Sequence, residues 1–197
     1  MKNNLEIPKP SQKEVKYYLK LWDSLKNYTL QESSLEKLFQ KTYPLNNNMD
    51  DVLIKVCALN DFYSTNIFSP FTVAKHIVAL KIDNNLVKND LEIVNKIANV
   101  KMGGGKSRNF YSFATKYCSH HKPTVYPIYD SYVERILIYL KKMDNFADFS
   151  REDLRSYVKF KDILLKFRKY YDLQQFNLKQ IDQYLWQIGK KYFPNQY

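Results

Sequence analysis

Apolar residues recur at helical spacing along almost the whole chain. In the first such segment, Val15, Leu19 and Trp22 follow one another at intervals of three and four residues, which places them on one face of a helix. Alternation of apolar and polar residues with a period of two, the pattern of a half-buried strand, is nearly absent. The pattern predicts an all-α protein of about nine helices in two packed lobes.

Capping residues indicate where several of these helices begin. Ser11 with Glu14 and Asn177 with Gln180 have the spacing of capping boxes, and Ser69 precedes a proline at a first helical position. The predicted helices begin near residues 11, 33, 51, 69 and 89, and those of the second half span 107–120, 130–142, 150–171 and 177–192. We treat residues 1–197 as one domain, whose lobes would be 1–100 and 101–197.

The charge of the chain is high and unevenly distributed. The net charge is +11 in total; residues 1–100 carry 13 basic and 11 acidic side chains, whereas residues 101–197 carry 18 and 9. A basic half beside a nearly neutral half favours a polyanionic partner, and double-stranded DNA is the partner we expect.

Other features of the composition narrow the class of protein. No apolar run approaches the roughly 18–20 residues of a membrane-spanning helix, and the N-terminus does not resemble a signal peptide. Two cysteines are too few for a disulfide scaffold. We therefore expect a cytoplasmic monomer that has no membrane, metal or cofactor partner.

The segment with the clearest chemistry is a cluster of three of the four glycines, Gly103, Gly104 and Gly105. Without side chains, the backbone amides of such a turn can approach an anion closely, and a helix predicted from Ser107 would add its N-terminal amides. The nearby cations are Lys101, Lys106 and Arg108. This pattern favours a grip on DNA phosphates; the alternative is a flexible helix C-cap.

A second candidate is Asp130, which follows Pro127 at the start of a predicted helix. Aspartate is a common N-cap, so a purely structural role is one interpretation. The other interpretation is a carboxylate on the floor of a cleft, facing Lys106 at the start of the preceding helix.

These motifs resemble the helix-hairpin-helix DNA glycosylases, and most of all the 8-oxoguanine DNA glycosylase branch. The resemblance covers residues 50–140: a glycine hairpin with a lysine, a helix, then Pro-Ile-Tyr-Asp opening another helix. It implies that Lys106 is the lysine nucleophile, with Lys101 as the alternative, and that Asp130 is the essential aspartate. It also implies that the segment with Asn66 enters DNA near the lesion. Candidate walls for the flipped base are Phe62, Tyr63, Tyr126, Tyr129 and Tyr132.

Three functions follow from these observations. The first is a DNA glycosylase and AP lyase of base excision repair, which removes an oxidised purine such as 8-oxoguanine. The second is a catalytically inactive helix-hairpin-helix protein that binds DNA in a defence or mobile-element system. The third is an adaptor whose basic face binds an acidic protein.

Overall fold

The computed structural model describes residues 7–194, which form ten α-helices and one two-stranded hairpin. The elements are α1 (Gln12–Ser24), α2 (Lys26–Glu36), α3 (Met49–Tyr63), α4 (Pro70–Leu80), α5 (Asp83–Val87), α6 (Glu92–Ala98), β1 (Asn99–Lys101), β2 (Ser107–Asn109), α7 (Tyr111–His121), α8 (Ser131–Asp144), α9 (Tyr157–Tyr170) and α10 (Leu178–Tyr192). The prediction of an all-α protein is confirmed.

Several helix starts confirm the capping patterns. Asn177 and Gln180 form a complete capping box at the start of α10, and Pro70 is the first residue of α4. At α1, the Ser11 side chain accepts a hydrogen bond from the amide of Glu14, which is half of the predicted box.

Two predicted helices differ from the observed elements. α2 begins at Lys26 rather than near Ser33, and its last turn continues as a π-helix over Lys37–Thr42. The single helix predicted over 150–171 is a 3₁₀ turn at Asp153–Arg155 followed by α9.

The hairpin is the largest correction to the predicted fold. Residues 107–109 were expected to open a helix, but they pair as β2 with β1 in antiparallel register, with Val100 opposite Arg108. The glycines form the turn between the strands, and α7 begins at Tyr111. The connection from α6 to α7 is therefore a small β-hairpin, and its turn does not adjoin a helix N-terminus.

The buried residues form one cluster that draws on both halves of the chain. α1 packs against α10, and α8 also packs against α10, so the first helix and the last lie together with α8. The division into lobes 1–100 and 101–197 stays a prediction. Among the described residues, no helix is both long and apolar enough to cross a membrane.

Candidate functional site

A cleft of about 870 Å³ opens where six helices converge. Residues of α1, α2, α3 and the segment after α3 form one part of its lining, and residues of α7, α10, the start of α8 and the segment before α8 form the rest. Its lining contains two lysines, three carboxylates and two tryptophans, so charged and aromatic groups face the same space.

Lys116 and Asp130 lie together in this cleft. The Nζ atom of Lys116 is 3.6 Å from Oδ2 of Asp130, and it donates a hydrogen bond to Oγ of Ser112 at 2.5 Å. Only 4% of the Lys116 side chain is exposed, compared with 21% for Asp130. Burial lowers the pKa of Lys116, although the nearby carboxylates of Asp130 and Asp182 oppose part of that change.

Asp130 caps a helix, as one interpretation predicts, and its carboxylate lies in the cleft, but it faces Lys116 rather than Lys106. Its Oδ1 atom caps α8 by accepting a hydrogen bond from the Tyr132 amide at 2.8 Å. Its Oδ2 atom remains directed toward the Lys116 amine. The helix start therefore fixes the position of a carboxylate beside a buried amine.

Tyr63 supports the other side of Lys116. The Nζ atom of Lys116 lies 5.2 Å from the centre of the Tyr63 ring, so the ring face would favour any positive charge on the amine. The Tyr63 hydroxyl is 3.0 Å from Nε2 of His120, which holds the ring in place. Burial raises the pKa of Tyr63 to about 12 and lowers the pKa of His120 well below its usual value, so both groups are neutral.

A second group of charges comes from α2 and α10. Lys179 forms an ion pair with Glu32 at 2.5 Å, and Glu32 also accepts hydrogen bonds from the Trp22 indole and the Gln183 amide. Asp182 lies one turn from Lys179 on α10 and is 7% exposed. Burial raises the pKa of Asp182 to about 7, with Lys179 opposing and Asp130 reinforcing the shift.

Aromatic side chains form a wall of the cleft. Trp22 stacks on Tyr28 with ring centres 5.9 Å apart, and Trp186 contacts Tyr28 edge-on at 5.1 Å. Tyr132 meets Trp186 edge-on, and Lys190 lies over Tyr28 and Trp186. A planar ring such as a nucleobase could stack on exposed faces of these side chains.

The hairpin presents a separate basic surface. Lys101, Lys106 and Arg108 are exposed on it, as are the three glycines and Ser107. Gly104 and Gly105 have φ values of +71° and +72°, which L-amino acids with side chains rarely adopt. Open amides beside three cations are suited to contact phosphates.

Most of the predicted base-pocket residues do line the cleft, together with Asn66. Phe62, Tyr63, Tyr129 and Tyr132 are part of its lining. Tyr126 is not: it is fully buried, and its hydroxyl donates to the backbone of Asp90, so its assignment to the pocket was wrong.

Lys106 and Asp130 are not brought together, which corrects their predicted pairing. Lys106 is exposed at the end of the hairpin turn and does not line the cleft, because the residues after it continue as a strand rather than a helix. Lys101 pairs within the same hairpin. The amine beside Asp130 belongs to Lys116, ten residues further along.

Sequence reasoning missed Lys116 because it lies among apolar residues of α7, which looked like ordinary core. Every residue from Phe113 to His120 is buried, so α7 has almost no exposed face. A lysine within such a helix was the available signal, since a buried lysine needs polar partners. Glu32, Lys179 and Asp182 were missed because their helices are far apart in the sequence.

Comparison with known proteins gives two matches. The sequence profile of the HI_0787 family, described as an N-terminal domain, matches residues 14–125. An uncharacterized protein of Haemophilus influenzae is 50% identical over 147 residues, which cover 74% of this chain and 70% of that protein. No solved structure matches the chain. The profile includes Lys116 but ends before Asp130 and Asp182.

Proposed function

The chain belongs to the HI_0787 N-terminal domain family, and from the cleft of this family member we propose that it is a DNA glycosylase with AP lyase activity. The proposed substrate is an oxidised purine such as 8-oxoguanine in double-stranded DNA, as the resemblance to that branch of helix-hairpin-helix glycosylases implies. We place the reaction in base excision repair, carried out by a cytoplasmic monomer.

The observation that carries the proposal is the pair of Lys116 and Asp130 in one aromatic-walled cleft. A buried amine 3.6 Å from a carboxylate is the arrangement that cleavage of an N-glycosidic bond by a lysine requires. The low exposure of Lys116 favours the neutral amine, which is the nucleophilic form.

The proposed reaction begins when the damaged nucleotide leaves the duplex and its base stacks in the cleft. As the bond from C1′ to the base breaks, positive charge develops on the sugar, and the Asp130 carboxylate stabilises it. The Lys116 amine bonds to C1′; proton loss and ring opening then give a Schiff base. Removal of a C2′ proton breaks the C3′–O bond and cuts the strand.

The hairpin supplies the proposed contact with the DNA backbone. Its three exposed cations and its glycine amides would bind phosphates, whereas the cleft would bind the extruded nucleotide. The hairpin would therefore hold any duplex, whereas the cleft would select the damaged base.

The experiment that tests the proposal is borohydride trapping on duplexes that contain 8-oxoguanine or an abasic site. The wild-type protein should form a covalent adduct with both, and Lys116→Gln should form none while still binding DNA. Lys106→Gln tests the other candidate lysine: because Lys106 lies in the phosphate-binding hairpin, this variant is assayed at protein concentrations that saturate the DNA, and there it should still form the adduct. An adduct that survives in Lys116→Gln and is lost in Lys106→Gln would contradict the assignment.

A second candidate function is DNA binding without catalysis, which the exposed basic hairpin favours by itself. Such a protein would serve a defence or mobile-element system. It predicts affinity that falls steeply with salt, and no adduct with either duplex. An acidic protein partner, the third function, predicts no affinity for DNA.

A further inference from the structure

Asp182 is a carboxylate in the cleft that has no part in the reaction proposed for Lys116 and Asp130. It lies on α10, is 7% exposed and contributes to the cleft lining. Among the residues that the structure describes, none donates a hydrogen bond to its carboxylate or forms an ion pair with it. Its carboxylate oxygens are not among the fully buried polar atoms that lack a partner, so they reach the open space of the cleft, where a ligand can meet them.

The surroundings of Asp182 favour its protonated form. The ionisable groups that interact with it are Glu32 of α2, Tyr63 of α3, Lys116 of α7, Asp130 at the start of α8, Tyr157 of α9 and Lys179 of its own helix. Lys179 already forms an ion pair with Glu32, so its positive charge stabilises the Asp182 carboxylate only in part. Burial raises the pKa of Asp182 to about 7, and near neutral pH a large fraction of the carboxyl holds its proton.

Asp130 has the opposite kind of environment. One of its oxygens accepts a backbone amide hydrogen bond and the other faces the Lys116 amine, and 21% of its side chain is exposed. Asp130 is thus held by an amide and an amine, whereas the mostly buried Asp182 receives no hydrogen bond from the residues that the structure describes. When two carboxyl groups in one cleft have such different environments, one can be ionised while the other stays protonated and serves as an acid.

We propose that Asp182 is the general acid of the cleft, which protonates the base as it leaves. This inference rests on the proposed glycosylase function. As the C1′–N bond breaks, its electron pair moves onto the base, and the Asp182 proton passes to a ring nitrogen or carbonyl oxygen of that base. The products are a neutral free base and the Asp182 carboxylate. The amine bonded to C1′ then loses a proton, which can return to Asp182.

The test compares two substrates that differ only in the presence of a base. One duplex carries 8-oxoguanine, and single-turnover base release is measured; the other carries an abasic site, and borohydride trapping is measured. Asp182→Asn should lower base release at least tenfold, because the amide cannot donate a carboxyl proton. It should leave trapping of the abasic duplex unchanged, since no base remains to be protonated.

The wild-type protein gives the same test without a variant. Above pH 7, the ratio of base release to abasic-site trapping should fall about tenfold for each pH unit as Asp182 loses its proton, because both reactions need the neutral Lys116 amine and only base release needs the acid. Trapping of the abasic duplex needs the neutral Lys116 amine and should not fall over that range. Asn is close in shape to Asp, and the melting temperature of Asp182→Asn verifies that it is folded.

Three results would overturn the inference. The first is base release at the wild-type rate in folded Asp182→Asn. The second is an equal loss of base release and abasic-site trapping, which would make Asp182 a positioning residue for Lys116. The third is a wild-type protein that traps the abasic duplex without releasing 8-oxoguanine. Failure of the wild-type protein to trap the abasic duplex would instead refute the proposed function itself.

Discussion

At the scale of single residues, the cleft contains ionisable side chains that are almost completely buried. Lys116 and Asp182 are buried, and each would be more stable in water in its charged form. Groups of this kind reduce the stability of the fold, and proteins retain them chiefly where function requires them. The predictions for Asp182 and Asp130 separate the structural from the chemical contribution of each carboxylate.

Asp182→Asn should stabilise the protein in a manner that depends on pH. In the unfolded chain the carboxyl ionises near pH 4, whereas in the folded protein it ionises near pH 7. The contribution of Asp182 to the free energy of unfolding of the wild-type protein therefore decreases as the pH rises from about 4 to about 7 and is constant above that range. At about 1.4 kcal/mol per pKa unit, the variant should gain up to about 4 kcal/mol over wild type between pH 4 and pH 8.

Urea denaturation of the two proteins at pH 4 and pH 8 measures this difference. A stability difference that does not change with pH would show that the pKa of Asp182 is the same in the folded and the unfolded protein.

Asp130→Asn should separate capping from catalysis. Asparagine caps a helix about as well as aspartate, so the melting temperature should stay within a few degrees of wild type. Loss of the negative charge should lower base release by about 10²–10³, the usual cost of one preorganised electrostatic contact. Base release at the wild-type rate would leave Asp130 with its capping role alone.

At the scale of elements, the hairpin is the feature whose form the sequence did not predict, and its contact with DNA phosphates stays a prediction. Its strands are three residues long, too short for a period of two to be recognised, and Ser107 looked like an ordinary helix start. The capping box of α10 was predictable because its four residues are local and chemically specific. The same contrast applies to the cleft: Asp130 follows from a local motif, whereas its pairing with Lys116 depends on tertiary packing.

Valine at Gly104 should weaken binding to all duplexes alike. Gly104 has a φ of +71°, so a β-branched residue would strain the turn and move its amides. Gly103→Val is the matched control, since Gly103 lies outside the positive-φ region and an added Cβ meets nothing within 4 Å. Filter binding between about 50 and 200 mM salt measures both affinities and their salt dependence. Equal affinities of the two variants would contradict a role for the shape of the turn.

At the scale of the whole molecule, the cleft depends on close contact between α8 and α10. A Cβ atom at Gly189 would lie 2.5 Å from the carbonyl oxygen of Tyr132, two residues after Asp130. Glycine is therefore needed where the last helix crosses the start of α8. Neither helix lies within residues 14–125, so the contact that sets the position of Asp130 lies outside the matched profile.

Gly189→Ala should destabilise the protein, although glycine to alanine within a helix normally stabilises it by about 0.5–1 kcal/mol. The clash is with backbone atoms, which cannot rotate away, and overpacking of this kind costs about 1–3 kcal/mol. Urea denaturation measures the sign, and borohydride trapping should fall as Asp130 moves. A more stable variant would show that α8 and α10 can separate without cost.

The tryptophans of the aromatic wall make the cleft observable by fluorescence. The chain has two tryptophans, Trp22 and Trp186, and both line the cleft with their rings 5.8 Å apart. Indole emission is sensitive to stacking and to loss of water, so the tryptophan fluorescence of the protein, excited selectively, reports on the cleft. A nucleotide that enters should change the signal, whereas a duplex held only at the hairpin should not. The cleft thus contains its own optical probe, with which extrusion of a base can be timed apart from the binding of DNA.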